Sequence, residues 1–352
     1  MRIAVIGTYP PQRDGIGIYS SRIVSAMKKA GHSVKVFSFK GNQNGNEVVG
    51  VLSKHNPFTY LSVVRKIKEF NPDKVLIQFE YVHYNLIWFS KMILGLKGFG
   101  YKPNIMMHTI VPYESGWKYY LFKLIHLCMF LFCSKVFVHT ENAKMKLLKR
   151  TWLKPKIGIV PIAIKPVVDI KMPKQKFPFL LSFGFISQDK GIDVLCNAMD
   201  DVEAKLLISG SISPYAMKKQ QDYLEELKKL VMGKENISLN VHYITERQKD
   251  DLFRKADFFV LPYRFIEQSA VLTEVWGYGK IPICSDVSGL REEIKGKYGV
   301  LFKNGDAEDL KRVINEIISN PSKQKWILKN IKELVQERSF DVCAGKIIEK
   351  MS

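Results

Sequence analysis

Short apolar runs alternate with amphipathic, helix-like stretches along this sequence, and no other feature constrains the fold as strongly. Strands that alternate with helices form parallel sheets covered by helices on both faces, and their strands are continuous apolar runs. The sequence therefore predicts an α/β fold with doubly wound sheets, in which ligands bind beyond the carboxyl ends of the strands. The predicted strands are Arg2 to Gly7, Val34 to Phe39, Lys74 to Gln78, Ile105 to Thr109, Val136 to His139, Phe179 to Phe183, Lys205 to Ser209, Ile237 to Val241, Phe258 to Leu261, Ile281 to Cys284 and Gly299 to Phe302.

The length of 352 residues fits two domains or one large α/β unit. The sequence turns polar and basic after Pro166 and becomes apolar again at Phe179, so we place an interdomain linker between them. The predicted domains are residues 1–165 and residues 166–338, followed by a terminal helix within residues 339–352. Two helices are expected to close the chain.

The stretch Phe258 to Glu293 carries the strongest functional signal. It begins as a strand, passes through the polar turn Gln268-Ser269-Ala270, and continues as a helix that contains Glu274. Unpaired N–H groups and the macrodipole at a helix N-terminus bind anions such as a diphosphate, and Glu274 is placed to meet a ribose beside it. An ordinary buried helix, with Glu274 complementing the dipole, explains the same residues, and the stretch alone leaves both interpretations open.

This stretch resembles the signature of the family 4 retaining glycosyltransferases, the glycosyl transferases group 1, in which a polar turn precedes a helix with a glutamate and then a strand. In that family two glutamates usually stand eight positions apart. The position eight before Glu274 is Ile266, and Glu267 is its neighbour. The chain is similar to the QSG-type branch of the family, with the first glutamate displaced or absent.

The segment Thr8 to Tyr19, predicted as a loop, is similar to the N-terminal motif of the same family. Its glycines Gly15 and Gly17 let backbone approach a ligand closely, and Asp14 replaces the usual first glycine. A Rossmann dinucleotide fingerprint is the alternative. It fails because Gly15-x-Gly17-x-x-Ser20 lacks the third glycine and is separated from the strand.

Polar residues follow two predicted strands of the first half. Gln78, Glu80 and Tyr81 follow one strand and His108 lies at the end of another, and both segments resemble motifs of the family. The resemblance implies that His108 faces the sugar diphosphate. A satisfied histidine at a strand end is the alternative for His108, and a loop carboxylate paired with a lysine is the alternative for Glu80.

In the second half, Gly184 to Ile192 resembles the donor loop of the family. Lys190 is suited to clamp a diphosphate as a flexible point charge. The family's arginine is replaced by Phe185, so either Arg264 substitutes for it or the donor is held more loosely. Taken alone, a Lys-Gly pair is typical of a surface loop.

The resemblance implies the GT-B architecture, two Rossmann-like doubly wound domains facing across a cleft, with donor bound by the second domain, acceptor by the first, and the terminal helix returning to the first. It implies transfer of a hexose, of mannose or glucose type, from a UDP- or GDP-linked sugar to an acceptor hydroxyl, with retention and with no metal or other cofactor. The implied catalytic residues are His108, Lys190 and Glu267. The implied donor-binding residues are Gly15, Gly17, Gly184, Lys190, Tyr243, Ile244, Arg264, Ser269, Ala270, Val271, Leu272 and Glu274. The implied acceptor-binding residues are Gln78, Glu80 and Tyr81.

Charge and cysteine usage bear on partners and compartment. The formal net charge of +20 suggests a polyanionic partner, and aromatic and basic residues interleave at Trp88 to Lys102 and Trp117 to Lys123. A first domain resting on an anionic membrane, with a lipid-linked or polymeric glycan acceptor, is one interpretation. Helices forming the outer layer of a sheet are the other. Five scattered cysteines and no apolar run of spanning length favour a cytoplasmic protein, and the membrane interpretation would place it at the inner face of the cell membrane.

Two other classes of function remain open. A basic nucleic-acid-binding protein would explain the charge, but the sequence carries no helix-turn-helix, zinc or RNA-recognition signature, which disfavours it. A catalytically idle GT-B protein that binds sugar or acts as a scaffold is the second alternative. Phe185 and Ile266, in place of the expected arginine and glutamate, favour it.

Overall fold

The structure is a computed structural model that describes residues 1–12, 14–41, 46–110, 116–149, 156–167, 176–212 and 217–351. The chain divides into two compact units. The first unit combines Met1–Ala163 with Phe340–Ser352, and the second unit is Ile164–Ser339. Most of the predicted linker falls on residues 168–175, which lie outside the described residues.

The first unit contains a seven-stranded sheet in the order β3-β2-β1-β4-β5-β6-β7, and its paired strands are all parallel. Alternate residues of β1 enter different cores: Ile3 and Val5 pack with α1 and α13, whereas Ala4 and Ile6 pack with α2 and α3. Both faces are therefore apolar, as expected for a doubly wound sheet. The strands are β1 Arg2–Ile6, β2 Ser33–Phe39, β3 Val48–Leu52, β4 Lys74–Phe79, β5 Asn104–Met107, β6 Val136–Val138 and β7 Ile157–Ile159. The helices are α1 Gly15–Lys29, α2 Phe58–Phe70, α3 Leu86–Gly98, α4 Gly116–Phe132, α5 Glu141–Leu148 and α13 Phe340–Met351.

The second unit contains a six-stranded parallel sheet in the order β10-β9-β8-β11-β12-β13. Leu180 and Leu181 on β8 point to opposite faces and join separate cores, and Phe258 and Phe259 on β11 do the same. The strands are β8 Phe179–Phe183, β9 Lys205–Gly210, β10 Ile237–Val241, β11 Phe258–Leu261, β12 Ile281–Ser285 and β13 Val300–Phe302. The helices are α6 Ile192–Ala198, α7 Met217–Val231, α8 Glu246–Lys255, α9 Ala270–Gly277, α10 Ser288–Ile294, α11 Ala307–Ile318 and α12 Pro321–Glu337, and a 3-10 turn spans Gln188–Lys190.

The predicted strands are confirmed, with ends that differ by one or two residues, and the α/β class is confirmed with them. Two strands were missed, β3 and β7, which lie at the two edges of the first sheet. The prediction of a loop from Thr8 to Tyr19 is wrong in its second half. Helix α1 begins at Gly15 because Asp14 caps it, accepting a 2.7 Å hydrogen bond from the Gly17 N–H.

The prediction that two helices close the chain is also wrong. Three helices, α11, α12 and α13, follow β13. Asn320 caps α12 by accepting a hydrogen bond from the Lys323 N–H, and Pro321 occupies its first position. Proline there has no N–H to lose and its φ already suits a helix, so this pair starts a new helix instead of continuing α11.

Candidate functional site

A cavity of about 420 Å³ opens at the carboxyl end of the second sheet. Its walls come from the residues that follow β8, β9, β10 and β11 and from the start of α9, so it lies where parallel sheets bind ligands. The residues that line it and that the sequence pointed to are Gly184, Lys190, Tyr243, Ile244, Ser269, Ala270 and Val271. Lining residues that the sequence did not single out include Phe183, Gly210, Ser211 and Tyr263.

The N-terminus of α9 forms one wall of the cavity. Ser269 caps this helix, since its Oγ accepts a 3.2 Å hydrogen bond from the Leu272 N–H. Ala270 and Val271, the first two residues of the helix, line the cavity, and the first N–H groups of a helix have no acceptor within it. Leu272 itself is buried and lies outside the cavity lining. This wall suits an anionic group.

Lys190 adds a positive charge to the same cavity. It ends the 3-10 turn after β8, and its Nζ lies 4.2 Å from the centre of the Tyr263 ring and 3.4 Å from Asp189 Oδ2. The next residue, Gly191, has φ 60°, and a Cβ there would lie 2.0 Å from the Pro262 carbonyl oxygen. Only glycine lets this loop approach the end of β11, which is how Lys190 reaches the cavity.

Arg264 lies outside the cavity lining. Its guanidinium forms two hydrogen bonds with the Asp193 carboxylate, at 2.8 and 2.5 Å, and one of 2.7 Å to the Gln188 carbonyl oxygen. Burial acts to raise the pKa of Asp193, but the hydrogen bonds from Arg264 and Tyr223 outweigh it, so that pKa is lowered. The structure thus places Arg264 as a clamp on the loop that carries Lys190, and the predicted substitute for the missing arginine is engaged elsewhere.

The two glutamates are placed differently from what the motif implies. Ile266, and not Glu267, lines the cavity. Glu274 also lies outside the lining, on the second turn of α9, where its Oε1 accepts a 2.9 Å hydrogen bond from Lys249 Nζ. Burial acts to lower the pKa of Lys249, and the Glu274 carboxylate outweighs it, so that pKa is raised. Lys249 is a partner of Glu274 that the sequence did not reveal.

In the first unit, polar side chains meet at the carboxyl ends of β4, β5 and β6, which are neighbours in the sheet. His108 Nε2 lies 2.7 Å from the Gln78 side-chain amide, and His108 Nδ1 lies 3.2 Å from His139 Nε2. Tyr19 of α1 packs edge-on against both imidazoles. His139 and Tyr19 were missed from the sequence. The signal available for His139 was its position directly after a strand, the same as that of His108.

The remaining predicted residues of the first unit are not all joined to this cluster. Tyr81 is buried and its hydroxyl lies 2.5 Å from His126 Nε2, while Glu80 accepts a hydrogen bond from the Tyr81 N–H. Gly15 is exposed at the first position of α1, and Gly17 is buried in its first turn. A Cβ at Gly17 would lie 3.2 Å from Asp14 Oδ2 and 3.3 Å from the Tyr9 backbone nitrogen, so a larger residue there would push on the preceding loop.

The sequence of the second unit is similar to a known protein family. Residues 168–334 match the family described as glycosyl transferases group 1. This match spans nearly all of the second unit, which is therefore similar to the glycosyl transferases of group 1. No match was found among curated proteins.

Solved structures show that this chain has the GT-B fold. It is similar to a sucrose-phosphate synthase from Thermosynechococcus elongatus, with 18% identity, TM-score 0.76, and coverage of 99% of this chain and 98% of that one. It is similar to a glycosyltransferase from Rickettsia africae, with 16% identity, TM-score 0.77, and coverage of 99% and 97%. It is also similar to HepE of Anabaena, solved in complex with UDP, with 14% identity, TM-score 0.79, and coverage of 100% and 99%.

Proposed function

We propose that this chain is a glycosyltransferase, which transfers a hexose, of glucose or mannose type, from a UDP- or GDP-linked sugar to an acceptor hydroxyl with retention at the anomeric carbon. The observation that carries the donor assignment is the cavity of the second unit, where Lys190 and the first N–H groups of α9 meet. HepE, whose fold is the same, was solved with UDP and with UDP-glucose, which supports a nucleotide diphosphate as the anion bound there.

The chemistry asked of this site is electrostatic. The bond between the anomeric carbon and the diphosphate breaks, and a bond to the acceptor oxygen forms on the same face. Negative charge grows on the departing diphosphate, and one of its oxygens takes the proton that the acceptor hydroxyl loses. Lys190 and the N–H groups of Ala270 and Val271 are placed to stabilise that charge. By resemblance to the family, we propose a transfer step without a protein nucleophile and without a metal.

The nucleoside is assigned to the neighbouring residues. Tyr243 and Ile244, after β10, line the cavity and would hold the base by backbone and apolar contacts. Glu274 would accept a hydrogen bond from the ribose. Because Lys249 contacts Oε1, the other carboxylate oxygen is the one assigned to the ribose hydroxyl. Glu267 remains a proposed contact of a sugar hydroxyl, and Gly184 lets the backbone at the end of β8 approach the ligand.

The first unit is assigned to the sugar and the acceptor. His108 would contact the sugar or its phosphate, and Gly15 and Gly17 would let backbone reach the phosphates. The acceptor is assigned to Gln78, Glu80 and Tyr81. Of these three, Gln78 is held directly against His108, which supports a shared role for the two residues.

A thermal-shift screen of UDP, GDP, ADP and their sugar conjugates at millimolar concentration tests the donor assignment. A ligand at about 100 times its Kd adds roughly 2.7 kcal/mol to the free energy of unfolding. We expect stabilisation by a uridine or guanosine diphosphate, reduced in Lys190→Ala and retained in Lys311→Ala, which removes a lysine paired with Asp201 on the surface. Absence of a shift with every nucleotide would count against the proposal.

A catalytically idle protein is the second candidate, because Phe185 and Ile266 put apolar side chains on the cavity wall where the family has an arginine and a glutamate. Nucleotide-dependent stabilisation without turnover would favour it. Release of free nucleotide diphosphate from the matching sugar nucleotide, slow with water and faster with an acceptor glycan, would exclude it. A mixture of candidate glycans is sufficient for this assay, because the release of nucleotide diphosphate is measured whichever glycan accepts the sugar.

For the acceptor, we propose a lipid-linked glycan reached from an anionic bilayer. Helices α3 and α4 expose large apolar side chains: Ile87 is 64% exposed and Leu124 is 63% exposed. Residues 86–132 contain Lys91, Lys97, Lys102, Lys118 and Lys123 against Glu114 as the one acidic residue. Exposed apolar side chains, with an excess of lysines in the same stretch of sequence, would complement anionic headgroups over an acyl layer. No helix in the described part of the chain combines the length and apolarity that crossing a bilayer requires.

Vesicle sedimentation tests this contact. We expect binding to vesicles that contain phosphatidylglycerol, weaker binding to pure phosphatidylcholine, and loss of binding at high salt. The double variant Ile87→Glu/Leu124→Glu should bind less. Trp326→Glu, which places the same charge on an exposed residue of the second unit, should bind like the wild type. Equal sedimentation of both variants would contradict the assigned surface, and a soluble acceptor would then be favoured.

A further inference from the structure

A chain of hydrogen bonds crosses the carboxyl edge of the first sheet. His139 Nδ1 lies 2.8 Å from the Val160 carbonyl oxygen, His139 Nε2 lies 3.2 Å from His108 Nδ1, and His108 Nε2 lies 2.7 Å from the Gln78 amide. The side chains belong to β4 and to the ends of β5 and β6, and Val160 follows β7. Each strand of this half of the sheet therefore supplies one member, in spatial order.

At the Val160 end of this series of hydrogen bonds, donor and acceptor are fixed. The Val160 carbonyl can only accept, so His139 Nδ1 must carry a proton. A neutral imidazole has one N–H, so His139 Nε2 then carries a lone pair and must accept from His108 Nδ1. His108 Nε2 is left without a proton and must in turn accept from the NH₂ group of Gln78.

This polarity also fixes the orientation of the Gln78 amide. The oxygen and nitrogen of a side-chain amide have nearly the same shape, so the hydrogen-bond network decides which of them faces His108. We call the hydrogen bonds that join Val160, His139, His108 and Gln78 the relay. The relay requires the Gln78 NH₂ group at the position 2.7 Å from His108 Nε2. This exchanges Oε1 and Nε2 of Gln78 relative to their placement in the structure. The other polar position of the amide, which then holds the carbonyl oxygen, has no partner among the described residues.

The surroundings keep both histidines neutral near pH 7. Burial lowers the pKa of His139 to about 4, and burial together with His139 and His83 lowers the pKa of His108 well below its usual range. His83 Nε2 is 4.0 Å from Asp14 Oδ1, and the Tyr19 ring lies edge-on to both imidazoles. Burial raises the pKa of Tyr19, so its hydroxyl is also neutral. If His139 Nε2 donated to His108 Nδ1 instead, His139 would need a second proton.

We propose that His139 is a positioning residue, which fixes His108 as the Nδ1–H tautomer and turns the Nε2 lone pair of His108 and the amide NH₂ of Gln78 toward each other. Two buried polar atoms have no hydrogen-bond partner in the described structure: the Tyr19 hydroxyl oxygen and the atom of the Gln78 amide that this arrangement assigns as the carbonyl oxygen. Leaving such groups unpaired costs about 1–3 kcal/mol each. The relay therefore holds an acceptor, the Gln78 carbonyl, ready for a donor on a ligand or an ordered water.

This inference is independent of the proposed sugar transfer, since it concerns the ligand-free protein. Long-range ¹H–¹⁵N NMR spectra distinguish the two neutral imidazole tautomers, because the nitrogen that lacks a proton resonates far downfield of the one that carries it. We expect both His108 and His139 to be the Nδ1–H tautomer, assigned by the signals missing in His108→Gln and His139→Gln. An Nε2–H tautomer at His108 would overturn the proposal.

Two substitutions at His139 separate positioning from support of the fold. His139→Gln places a carbonyl oxygen that can accept from His108 Nδ1, so His108 should remain the Nδ1–H tautomer. His139→Leu offers no acceptor, so His108 should lose that tautomer and its pKa should rise, because the repulsion from His139 is gone. His32→Gln, at a histidine that contacts the N-terminal amine, is the matched control and should leave the His108 signals unchanged.

If the transferase proposal also holds, His139→Leu should lower kcat while Kd for the nucleotide, which the second unit binds, stays unchanged. His139→Gln should restore part of kcat. A tautomer that is the same in His139→Leu as in the wild type would contradict the relay even if kcat falls. A tautomer that changes while no transfer is found in any variant would leave the relay standing and count only against the proposed function.

Discussion

The carboxyl edges of the two sheets are built on different physical principles. In the second unit, Lys190 and the N-terminus of α9 supply positive charge beside apolar walls such as Phe183 and Ile266. In the first unit, His108, His139 and Gln78 are neutral and joined in one direction by hydrogen bonds. Charge acts over several ångströms and tolerates small displacements, whereas a hydrogen bond weakens steeply with angle.

This difference predicts how each edge responds to substitution. At the charged edge, a substitution that keeps the charge should keep much of the function even if geometry shifts. At the neutral edge, a substitution that keeps the size of a side chain but exchanges its hydrogen-bond donor and acceptor should lose the function. The comparison also explains why one edge gave a clear signal in the sequence: Lys190 and the polar turn before α9 each stand out within their own stretch, whereas the contacts between His108, His139 and Gln78 depend on which strands are neighbours.

The largest effect is expected for Lys190→Ala. Removing one preorganised donor to a developing negative charge typically lowers kcat by about 10²–10³-fold. Lys190→Arg should keep more activity than Lys190→Ala, because the charge remains. The measurement is kcat and KM for release of the nucleotide diphosphate, with Lys311→Ala as the matched surface control. If Lys190→Ala kept full kcat, the charged edge would not be the donor site.

Most of the fold could be predicted because buried parallel strands are apolar along their whole length, as Ile3 to Ile6 are. The missed strands show the limit of that rule. Strand β3 pairs with one neighbour only and contains Gly50, and β7 is three residues long with Gly158 at its centre. Edge strands need less burial, so their apolar signal is weaker.

The sequence pointed to residues of the candidate site, but it did not reveal which side chains they contact. Arg264 was expected near the diphosphate because an arginine was missing at Phe185, yet its guanidinium is held by Asp193. Nothing in the spacing of two residues so far apart in the chain indicates that pair. His139 was missed for a related reason: its role depends on which strands are neighbours in the sheet, and the order β4-β5-β6 is a property of the fold.

The second prediction concerns Glu274 and its partner Lys249. A hydrogen bond to a charged group is worth about 1.5–3 kcal/mol, so Glu274→Ala should weaken nucleotide binding tenfold or more. Lys249→Met should weaken it less, because it removes the contact that orients the carboxylate and leaves the carboxylate in place. The measurement is Kd by calorimetry.

A deoxynucleotide sharpens this test. If Glu274 binds a ribose hydroxyl, the wild type should prefer UDP or GDP over the diphosphate that lacks that hydroxyl, and Glu274→Ala should bind both equally. Equal loss of affinity for the two ligands in Glu274→Ala would show that the carboxylate supports α9 and does not contact the ribose.

The third prediction compares helix caps in the two units. Ser269 caps α9 at the cavity, and Thr140 caps α5 in the first unit through a 3.1 Å hydrogen bond from the Ala143 N–H. Replacing either residue by alanine should cost about 1 kcal/mol in the free energy of unfolding. Only Ser269→Ala should also weaken nucleotide binding, since its helix N-terminus faces the cavity. Weakened binding in Thr140→Ala to the same degree would mean that the loss reflects stability alone.

The smallest effect is expected for an ion pair that is exposed at both ends. The Arg264–Asp193 pair is partly buried, whereas Lys29–Asp341 in the first unit is exposed at both ends. Arg264→Ala should lower the free energy of unfolding by about 1 kcal/mol, and Lys29→Ala should change it too little to measure. Urea unfolding at pH 7 makes this comparison.

The dependence on pH tests the same pair with a defined sign. Since the pKa of Asp193 is lower in the folded chain than its ordinary value of about 3.9, the pair contributes fully above that value and is lost as pH falls through the folded pKa. The stability of the wild type should therefore approach that of Asp193→Asn below pH of about 4. Because Arg264 also holds the loop of Lys190, Asp193→Asn should raise KM for the donor at pH 7. A stability difference that persists at low pH would show that Asp193 acts through packing instead of charge.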